Sequence, residues 1–302
     1  MMIGFAKMHG LGNDFVLIDA RDLALPDLPE LARYLCHRRF GIGADQMLLL
    51  YKSEVADFRM RIFNADGSEV EMCGNGIRCF AKYVWDKGLS GKDVLDIETF
   101  AGIIRPERVN GLVKVDMGEP VLEPEMIPVK ISQQSAVSSQ QSEKNELDPL
   151  SVTHNSSSII DYPLQIDDNE FRITCVSMGN PHAVIVVDNV ATFPVTYYGP
   201  MIENHHIFPN RANVEFIEVL NSGEIKMRVW ERGSGETMAC GTGASAAAVA
   251  SRLKGLTGKR TTVHLAGGDL LIEFGDDNHV YMTGPAEEVF SGDIKLKGEG
   301  VR

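Results

Sequence analysis

One segment of this sequence occurs twice, 167 residues apart. The first copy runs from Met60 to Gly76 and the second from Met227 to Gly243. Both copies begin with Met-Arg, carry a glutamate further on and end in Cys-Gly-x-Gly. Each copy predicts a strand, a polar loop and a cysteine directly before a helix. A repeat of this length is typical of a duplicated domain rather than of a solenoid.

The same offset extends beyond the repeated segment. It pairs Asn13 with Asn180 and Gln46 with Asn213, which all carry amide side chains, and it pairs the amide of Asn64 with the carboxylate of Glu231. Apolar patterns predict mostly strands, a helix at residues 28–38 and a helix in each half after the repeated cysteine. Tight turns between strands are predicted at Gly10-Leu11-Gly12-Asn13-Asp14 and at Val109-Asn110-Gly111-Leu112. The fold class we predict is therefore α+β, with two pseudo-twofold-related domains from internal duplication, each made of mostly antiparallel strands wrapped around a central helix.

The expected domain boundaries follow from this duplication. Residues 1–118 would form the first half, completed by a C-terminal strand within 286–302, and residues 119–285 would form the second half. The second half contains a stretch at about 131–160 in which Ser, Gln and Asn dominate. Such a stretch has little to bury, so we interpret it as a surface insertion between the halves.

Composition narrows the class of protein. The 302 residues are 44% hydrophobic, which is sufficient for a core in each half, and the net charge is −13. An acidic chain without a basic stripe argues against nucleic-acid binding. The sequence predicts neither a signal peptide nor a membrane span, so we expect a cytoplasmic protein. Five widely spaced cysteines without a C-x-x-C pair predict reduced thiols rather than a disulfide framework or a metal site.

The repeated cysteine has a chemical interpretation. A thiol at a helix start lies among unpaired backbone amides and near the positive end of the helix dipole, which should lower its pKa below the usual ~8.5. The glycines that follow let a carboxylate or phosphate approach those amides. A single copy of the motif is equally compatible with a structural turn around a buried thiol.

Two copies in one register favour catalysis. A pseudo-twofold axis would bring Cys73 and Cys240 to opposite sides of one ligand, with both helix starts directed at the same anion. This layout suits inversion of a stereocentre beside a carboxylate: one thiolate removes the α-proton, the other thiol returns a proton, and the amides stabilise the enediolate-like intermediate. No cofactor is predicted, because Lys82 lies in no recognisable Schiff-base setting and no Walker loop occurs.

The motifs together resemble the diaminopimelate epimerase family. They are His9-Gly10-Leu11-Gly12-Asn13-Asp14-Phe15, Gly43-Ala44-Asp45-Gln46, Asn64-Ala65-Asp66-Gly67-Ser68, Met72-Cys73-Gly74-Asn75-Gly76-Ile77-Arg78-Cys79, Met178-Gly179-Asn180-Pro181-His182, Asn213-Val214-Glu215-Phe216, Trp230-Glu231-Arg232-Gly233 and Ala239-Cys240-Gly241-Thr242-Gly243. The resemblance implies interconversion of LL- and meso-2,6-diaminopimelate without cofactor or metal, in the lysine and peptidoglycan-precursor pathway. It also makes a homodimer plausible.

The resemblance assigns roles to individual residues. It implies that Cys73 and Cys240 are the acid/base thiols and that His182 and Glu231 influence their ionisation. The substrate-binding residues it implies are Asn13, Gln46, Asn64, Gly74, Asn75, Asn180, Asn213, Glu231, Arg232, Gly241 and Thr242. Physical chemistry agrees, since an arginine can bind the distal carboxylate of the substrate through two hydrogen bonds while amides and a glutamate hold an ammonium.

Purely structural interpretations remain open for several of these residues. Asn64 could be a turn residue, and Arg232 could form a surface ion pair with Glu231. His182 could be a structural histidine, and Gln46 could tie down its own loop. The remaining cysteines are expected to be packing residues: Cys36, Cys79 and Cys175.

Three rival functions are considered. A proline or hydroxyproline racemase of the same fold would share both cysteines, but that resemblance calls for histidine where this chain has Asn75, and proline has no second carboxylate for Arg232. A redox protein would use the two thiols as a disulfide couple. A non-catalytic amino-acid-binding protein would keep the glycines and Arg232 without needing two cysteines.

Overall fold

A computed structural model describes residues 1–130 and 158–296. Most of the predicted insertion at 131–160 therefore lies outside the described residues. The chain divides into two compact units. Unit 1 contains Met1–Asp116 and the C-terminal segment that begins at Thr283, and unit 2 contains Met117–Met282. Within the described residues, no helix is both long and apolar enough to cross a membrane.

Unit 1 contains a main sheet, two helices and the hairpin of β8 and β9. Its elements are β1 (Met2–Gly10), β2 (Asn13–Asp19), α1 (Leu28–Cys36), β3 (Gln46–Tyr51), β4 (Phe58–Asn64), β5 (Glu69–Val70), α2 (Gly74–Asp86), β6 (Ile97–Thr99), β7 (Gly102–Ile104), β8 (Glu107–Val109), β9 (Leu112–Asp116) and β19 (Glu287–Lys295). The main sheet has the order β19-β1-β2-β3-β4-β6-β7, with β5 beside β4.

Unit 2 repeats this plan. Its elements are β10 (Tyr162–Ile166), β11 (Asn169–Ser177), β12 (Pro181–Val186), α3 (Val195–Glu203), β13 (Asn213–Asn221), β14 (Glu224–Glu231), β15 (Gly235–Thr237), α4 (Gly241–Leu253), β16 (Arg260–Leu265), β17 (Gly268–Phe274) and β18 (Val280–Gly284). The sheet order is β10-β11-β12-β13-β14-β16-β17-β18, with β15 beside β14.

The 167-residue offset relates the two units element by element. β1, α1 and α2 have the same lengths as β11, α3 and α4, and each pair begins exactly 167 residues apart. The strand register is also repeated: Phe15 lies opposite Gln46 in the parallel pair β2–β3, and His182 lies opposite Asn213 in the parallel pair β12–β13. The duplication read from the sequence is therefore present in the backbone.

Helices α2 and α4 are the central helix of each unit. α2 packs on β1, β2, β3, β9 and β19, and α4 packs on β11 to β14, β16 and β17. Ten of the thirteen residues of each helix are buried. In α4 five of these ten residues are alanines, which let the surrounding strands approach the helix closely while favouring helix formation. Burial on all sides fixes the start of each helix, where the cysteine lies.

Two short turns join strands in unit 1 as the sequence predicts. Leu11 and Gly12 connect β1 to β2 with φ of 58° and 87°, and Asn110 and Gly111 connect β8 to β9 with φ of 51° and 81°. Positive φ at both central residues is the geometry of a type I′ hairpin turn, for which Asn-Gly is favoured. The first of these turns brings Asn13 to the start of β2.

One helix of unit 2 was not predicted. α3 begins after Pro194, which provides no side-chain cap, and it contains Pro200. Proline after the first turn removes an amide donor and normally argues against a helix. Tertiary packing outweighs this local penalty, because α3 buries Val195 and Ile202 in the unit 2 core. Unit 2 therefore has two helices where the sequence predicts one.

Candidate active site

Cys73 caps the N-terminus of α2. Its backbone is extended, with φ of −142° and ψ of 117°, and its sulfur accepts a hydrogen bond from the Gly76 amide at 3.4 Å. The Sγ atom also lies 3.8 Å from Asn13 Oδ1, which accepts a second hydrogen bond from Asn75 Nδ2 at 3.2 Å. The thiol is thus held at the first turn of a buried helix, beside two of the predicted binding residues.

Cys240 caps α4 in the same way. Its φ and ψ are −126° and 117°, and its sulfur accepts a hydrogen bond from the Gly243 amide at 3.4 Å. Thr242 Oγ1 lies 3.4 Å from the same sulfur. In both helices the backbone amide of the third residue donates to the thiol, and the first two residues lie where a helix start can bind an anion. In α4 these residues are Gly241 and Thr242, and in α2 they are Gly74 and Asn75.

Both helix starts require glycine at their third residue. A Cβ atom at Gly76 would lie 3.3 Å from the Cβ atom of Cys73, and one at Gly243 would lie 3.2 Å from the Cβ atom of Cys240 and 2.8 Å from Glu215 Oε1. The second glycine of Cys-Gly-x-Gly therefore makes room for the thiol cap itself. This explains why the motif is the same in both copies.

A paired arginine and glutamate support each helix start. Arg61 on β4 binds Glu69 on β5 through two hydrogen bonds of 2.6 and 2.8 Å, and Arg228 on β14 binds Glu236 at 2.7 Å. All four side chains are less than one-third exposed. These pairs close the strand-loop-strand segment that leads into the cysteine, so they fix where the helix begins.

The expectation of a lowered pKa is wrong for Cys240. Burial raises the pKa of this thiol well above its ordinary value, and the carboxylates of Glu231 and Glu215 raise it further. The hydrogen bonds from Thr242 and the Gly243 amide act in the opposite direction but are weaker. Desolvation and two nearby carboxylates thus raise the pKa of Cys240 by more than the helix dipole lowers it.

The predicted polar residues of unit 1 form two hydrogen-bonded pairs, Asn13 with Asp45 and Gln46 with Asn64. Asn13 Nδ2 donates to Asp45 Oδ2 at 2.9 Å. Gln46 and Asn64 lie opposite each other on β3 and β4, and Gln46 Nε2 donates to Asn64 Oδ1 at 2.8 Å. Gln46 Oε1 is buried and has no hydrogen-bond partner among the described residues. A buried acceptor without a partner is suited to a donor from a ligand, such as an ammonium group.

A charged network behind these residues holds them in place. Asp14 accepts two hydrogen bonds from Arg38, at 3.0 and 2.9 Å, and one from Lys7 at 2.5 Å. Arg38 also pairs with Asp45 at 2.6 Å. Burial alone would raise the pKa of Asp14, but the hydrogen bonds from Arg38 and Lys7 hold it far below its usual range. Asp45 therefore links Asn13 to this network of charged side chains.

Unit 2 carries a buried histidine–carboxylate pair. His182 Nδ1 lies 2.7 Å from Glu215 Oε1, and both side chains are fully buried. His182 Nε2 lies 2.9 Å from Asn180 Oδ1. Two of the predicted residues, Asn180 and His182, are thus in direct contact. The second oxygen of Glu215 has no hydrogen-bond partner among the described residues.

Glu231 lies at the end of β14 beside Cys240. Its carboxylate accepts a hydrogen bond from Thr237, and it is also within hydrogen-bond reach of the Cys240 thiol. Burial raises the pKa of Glu231, and the neighbouring Glu215 raises it further, whereas Thr237, Cys240 and His182 lower it. The expected influence of Glu231 on thiol ionisation thus has a geometric basis in this unit.

Arg232 projects from the turn after β14. Its guanidinium donates to the Asn210 carbonyl at 3.2 Å, and its backbone amide donates to Asn213 Oδ1 at 3.0 Å. The side chain is exposed, and among the described residues no carboxylate pairs with it. The alternative of an ion pair with Glu231 is therefore not observed, and the guanidinium is available to an anion.

Three supporting residues had no predicted role: Asp45, Glu203 and Glu215. Glu203, at the end of α3, is 4% exposed and accepts hydrogen bonds from Trp230 Nε1 at 2.7 Å and from the Gly233 amide at 2.9 Å. It thus clamps the two residues that flank Glu231 and Arg232. Glu215 had a visible signal, because it lies within the apolar run from Val214 to Ile217, and such a run predicts a strand that is buried on both faces.

The other cysteines are packing residues, in agreement with their prediction. Cys36, Cys79 and Cys175 are all buried and none is disulfide-bonded. Burial raises the pKa of Cys36 to about 12 and that of the other two still higher. These thiols remain protonated and are poor nucleophiles.

The fold is shared with proteins of known structure. A hydroxyproline epimerase from Agrobacterium vitis superposes with a TM-score of 0.67 at 15% identity, over 99% of this chain and 94% of that one. A phenazine biosynthesis protein of the PhzF family from Bacillus anthracis superposes with a TM-score of 0.68 at 19% identity, over 98% and 100%. This likeness establishes the fold, and the predicted two-domain α+β class is confirmed.

Sequence comparison gives the family within this fold. A profile of the family described as Diaminopimelate epimerase matches residues 5–123 and 174–289. The chain is 55% identical to diaminopimelate epimerase from Moorella thermoacetica, over 97% of this chain and 99% of that one. It is 49% identical to diaminopimelate epimerase from Methanococcus maripaludis, over the same shares of both chains. The chain belongs to the diaminopimelate epimerase family.

Proposed function

We propose that this protein interconverts LL- and meso-2,6-diaminopimelate by two-base proton transfer at the α-carbon, without a cofactor. The observation that carries the proposal is the pair of cysteine caps. Cys73 and Cys240 occupy equivalent positions at the starts of α2 and α4, and each sulfur accepts a hydrogen bond from the backbone amide of the third residue of its helix. Inversion at carbon needs a base and an acid on opposite faces, and a duplicated thiol supplies both.

The proton balance of the proposed reaction is simple. One cysteine, as thiolate, takes the α-proton and becomes a thiol. The electron pair left on carbon delocalises into the α-carboxylate, where the amides of the helix starts stabilise it. The other cysteine, as thiol, then donates its proton to the opposite face and becomes a thiolate. Gly74, Asn75, Gly241 and Thr242 are the residues whose amides would bind that carboxylate.

The two polar clusters suit the two amino-acid ends of the substrate. In unit 1 the buried Oε1 of Gln46 would accept from an ammonium group, beside Asn13 and Asn64. In unit 2 Arg232 would bind the distal carboxylate, with Asn180, Asn213 and Glu231 as further polar partners. A proline-type substrate has no second carboxylate, so an exposed Arg232 without a carboxylate partner among the described residues favours diaminopimelate.

The experiment compares four single substitutions, each from cysteine to alanine. Cys73→Ala and Cys240→Ala should abolish conversion of LL- to meso-diaminopimelate, measured by chiral chromatography. Cys36→Ala and Cys175→Ala provide one matched control in each unit, because both thiols are buried in the cores and neither caps the start of a helix. The two controls should retain activity. Full epimerase activity in either of the first two variants would refute the two-base mechanism.

Location and assembly are also proposed. A cytoplasmic homodimer is consistent with the predicted reduced thiols and with the exposed edge of unit 1. Strand β19 pairs with β1, no second partner strand is found among the described residues, and its Val289 and Phe290 are about half exposed. Light scattering of the purified chain tests the assembly: a mass of one chain at micromolar concentration would contradict the dimer.

A further inference from the structure

Asn13 and Asn180 occupy equivalent places in the two units. They are 167 residues apart, Asn13 begins β2, and Asn180 directly precedes β12. Both side chains are partly exposed, so both are accessible to a ligand. A carboxamide has a donor end and an acceptor end, and the end that the protein holds decides which kind of ligand group the other end can bind.

In unit 1 a chain of hydrogen bonds fixes the side chain of Asn13. Arg78 Nη2 donates to Asn75 Oδ1 at 2.9 Å, and Asn75 Nδ2 donates to Asn13 Oδ1 at 3.2 Å. Asn13 Nδ2 in turn donates to Asp45 Oδ2 at 2.9 Å. A guanidinium can only donate and a carboxylate can only accept, so the chain runs in one direction and neither carboxamide can turn over without losing hydrogen bonds. The oxygen of Asn13 is thereby placed 3.8 Å from Cys73 Sγ.

Both ends of this chain are anchored. Arg78 is fully buried, and its Nη1 and Nε atoms donate to the carbonyls of Gly74 and Pro285 at 3.2 Å each. Asp45 pairs with Arg38 at 2.6 Å. The chain therefore begins and ends on charged groups that cannot exchange the roles of donor and acceptor, and these groups set the orientation of the carboxamides between them.

Unit 2 cannot build this chain. At the 167-residue offset its three other members are replaced: Arg78 by Ser245, Asn75 by Thr242 and Asp45 by Ala212. A buried pair holds Asn180 instead. Asn180 Oδ1 lies 2.9 Å from His182 Nε2, and His182 Nδ1 lies 2.7 Å from Glu215 Oε1. The equivalent residues of unit 1 are Phe15 and Leu48, whose side chains form no hydrogen bonds of this kind.

The protonation of this pair determines which end of Asn180 it binds. His182 and Glu215 are both fully buried, and within the described residues neither a lysine nor an arginine pairs with Glu215. A buried carboxylate is strongly destabilised without a compensating charge, so we expect the pair to carry zero net charge. Whether Nδ1 or Oε1 holds the proton between them, a pair of zero net charge has a second proton on Nε2. Nε2 therefore donates, and the atom of Asn180 that faces it is the oxygen.

The two asparagines thus offer different ends to a ligand. The oxygen of Asn180 is held by His182, and its NH2 group has no hydrogen-bond partner among the described residues. The NH2 group of Asn13 is held by Asp45, and its oxygen faces Cys73, whose thiol is a weak donor that an ammonium group can replace. An oxygen suits an ammonium group, whereas an NH2 group suits a carboxylate.

We propose that the charged residues at the ends of these contacts give the two equivalent asparagines opposite binding roles: Asn13 accepts from an ammonium group of the substrate, and Asn180 donates to a carboxylate. The positioning residues are Arg78, Asp45 and, acting through His182, Glu215. The inference rests on the proposed function, which supplies a substrate with both kinds of group at each end. Without these residues a duplicated asparagine would bind both ends of the substrate alike, so they contribute to telling one end from the other.

The first measurement needs no ligand. The purified full-length protein is labelled with ¹⁵N-histidine, and the ring nitrogens of His182 are assigned by the loss of their NMR signals in His182→Gln. Nε2 should carry a proton at neutral pH, since it donates to Asn180. An Nε2 atom without a proton would overturn the inference, because Asn180 would then have to turn its NH2 group towards the histidine.

Two probes then separate the ligand groups. Pimelate has both carboxylates of diaminopimelate and no ammonium group, whereas 1,5-diaminopentane has both ammonium groups and no carboxylate. NMR titration gives a Kd for each. Asn180→Asp keeps an oxygen for His182 but removes the NH2 group, so the Kd for pimelate should rise at least about tenfold, because hydrogen bonds to charged groups are the strong ones. Asn13→Asp keeps an oxygen beside Cys73 and should keep the affinity for 1,5-diaminopentane.

The positioning residues are tested by exchanging them for their counterparts in the other unit. Glu215→Leu, which copies Leu48, should raise the Kd for pimelate and leave that for 1,5-diaminopentane unchanged. Arg78→Ser, which copies Ser245, should raise the Kd for 1,5-diaminopentane and leave that for pimelate unchanged, and Arg78→Lys should restore the affinity in part. A merely structural role for these residues would weaken the binding of both probes together.

Matched controls make the same changes on the same elements. Lys82 on α2 forms an ion pair one turn along the helix, and Glu218 on β13 pairs with Lys226. Lys82→Ser and Glu218→Leu should leave both dissociation constants unchanged. Circular dichroism identifies any variant that fails to fold, and the wild-type measurement on His182 together with Asn180→Asp then still decides the proposal.

An Asn180→Asp variant that keeps its affinity for pimelate would also overturn the inference, as would a Glu215→Leu variant that loses affinity for both probes equally. None of these measurements needs turnover, so the two proposals fail separately. A protein that epimerises diaminopimelate but has no proton on Nε2 of His182 refutes only the inference. One with the expected probe binding but no epimerase activity refutes only the proposed function.

Discussion

Glu203 offers a test of how the structure holds Arg232. Its carboxylate accepts hydrogen bonds from Trp230 Nε1 at 2.7 Å, the Gly233 amide at 2.9 Å and Arg211 Nη1 at 3.2 Å. Trp230 uses one oxygen, and the other two donors share the second oxygen. Glu203→Gln keeps the size of the side chain but leaves only one acceptor oxygen. The new NH2 group must then face either Trp230 Nε1 or the donors from Gly233 and Arg211, and the hydrogen bonds at that position are lost.

The cost can be worked from these contacts. A hydrogen bond to a charged group contributes about 1.5–3 kcal/mol, and Glu203 is only 4% exposed, so water does not replace the lost bond. Losing one such bond should lower the free energy of unfolding by about 2–3 kcal/mol. For a chain of this size the melting temperature should fall by roughly 4–10 °C. Looser flanking residues should also let Arg232 move, which would raise KM by about tenfold, or ~1.4 kcal/mol.

The assay combines differential scanning calorimetry with steady-state epimerase kinetics. Glu170→Gln is the matched control, because Glu170 lies in the same unit but is half exposed and pairs only with Arg172 at the surface. An exposed pair contributes at most about 1 kcal/mol, so this variant should change little. A Glu203→Gln protein with the wild-type melting temperature and KM would refute the claim that Glu203 holds the residues beside Arg232 in place.

Three further predictions follow from other contacts. Arg232→Lys should raise KM for diaminopimelate at least about tenfold with a smaller change in kcat, because lysine cannot bind a carboxylate through two parallel hydrogen bonds; an unchanged KM contradicts this. Asp45→Ala should also raise KM, because it frees Asn13, while the melting temperature changes little; a large loss of kcat alone would argue against a positioning role. The pKa of Asp14 is depressed in the folded state, so the stability it contributes is present above its unfolded pKa of ~3.9 and is lost as pH falls below that value. Urea unfolding between pH 3 and 7 should show a shallower acid limb in Asp14→Asn.

Much of the fold could be predicted because local signals and the repeat agree. Asn110-Gly111 predicts its turn by backbone preference alone, and Cys-Gly-x-Gly predicts where α2 and α4 begin. α3 was missed because Pro194 and Pro200 give the wrong local signal, and only packing makes this segment helical. The 167-residue offset from the correctly predicted α1 would have located it. The repeat therefore carries information that propensity does not.

The candidate site also has features that the sequence predicts and features that it does not. The thiols could be placed at helix starts because a cap depends on a few adjacent residues. The ionisation of Cys240 could not be predicted, because it depends on burial and on Glu215 and Glu231, which reach it from other strands. The roles of Glu203 and Asp45 were likewise not visible, since each supports residues distant in the sequence. Local motifs thus predict the reacting groups, and long-range packing sets their electrostatics.

The central claim is proton transfer at the α-carbon of diaminopimelate. The most direct measurement is proton NMR of the protein in D₂O with diaminopimelate, proline or glutamate as separate substrates. The account predicts that the α-proton signal of diaminopimelate is lost to deuterium while the LL and meso forms interconvert, and that proline and glutamate keep their α-protons. Exchange of proline without exchange of diaminopimelate, or exchange of none of the three, would contradict it.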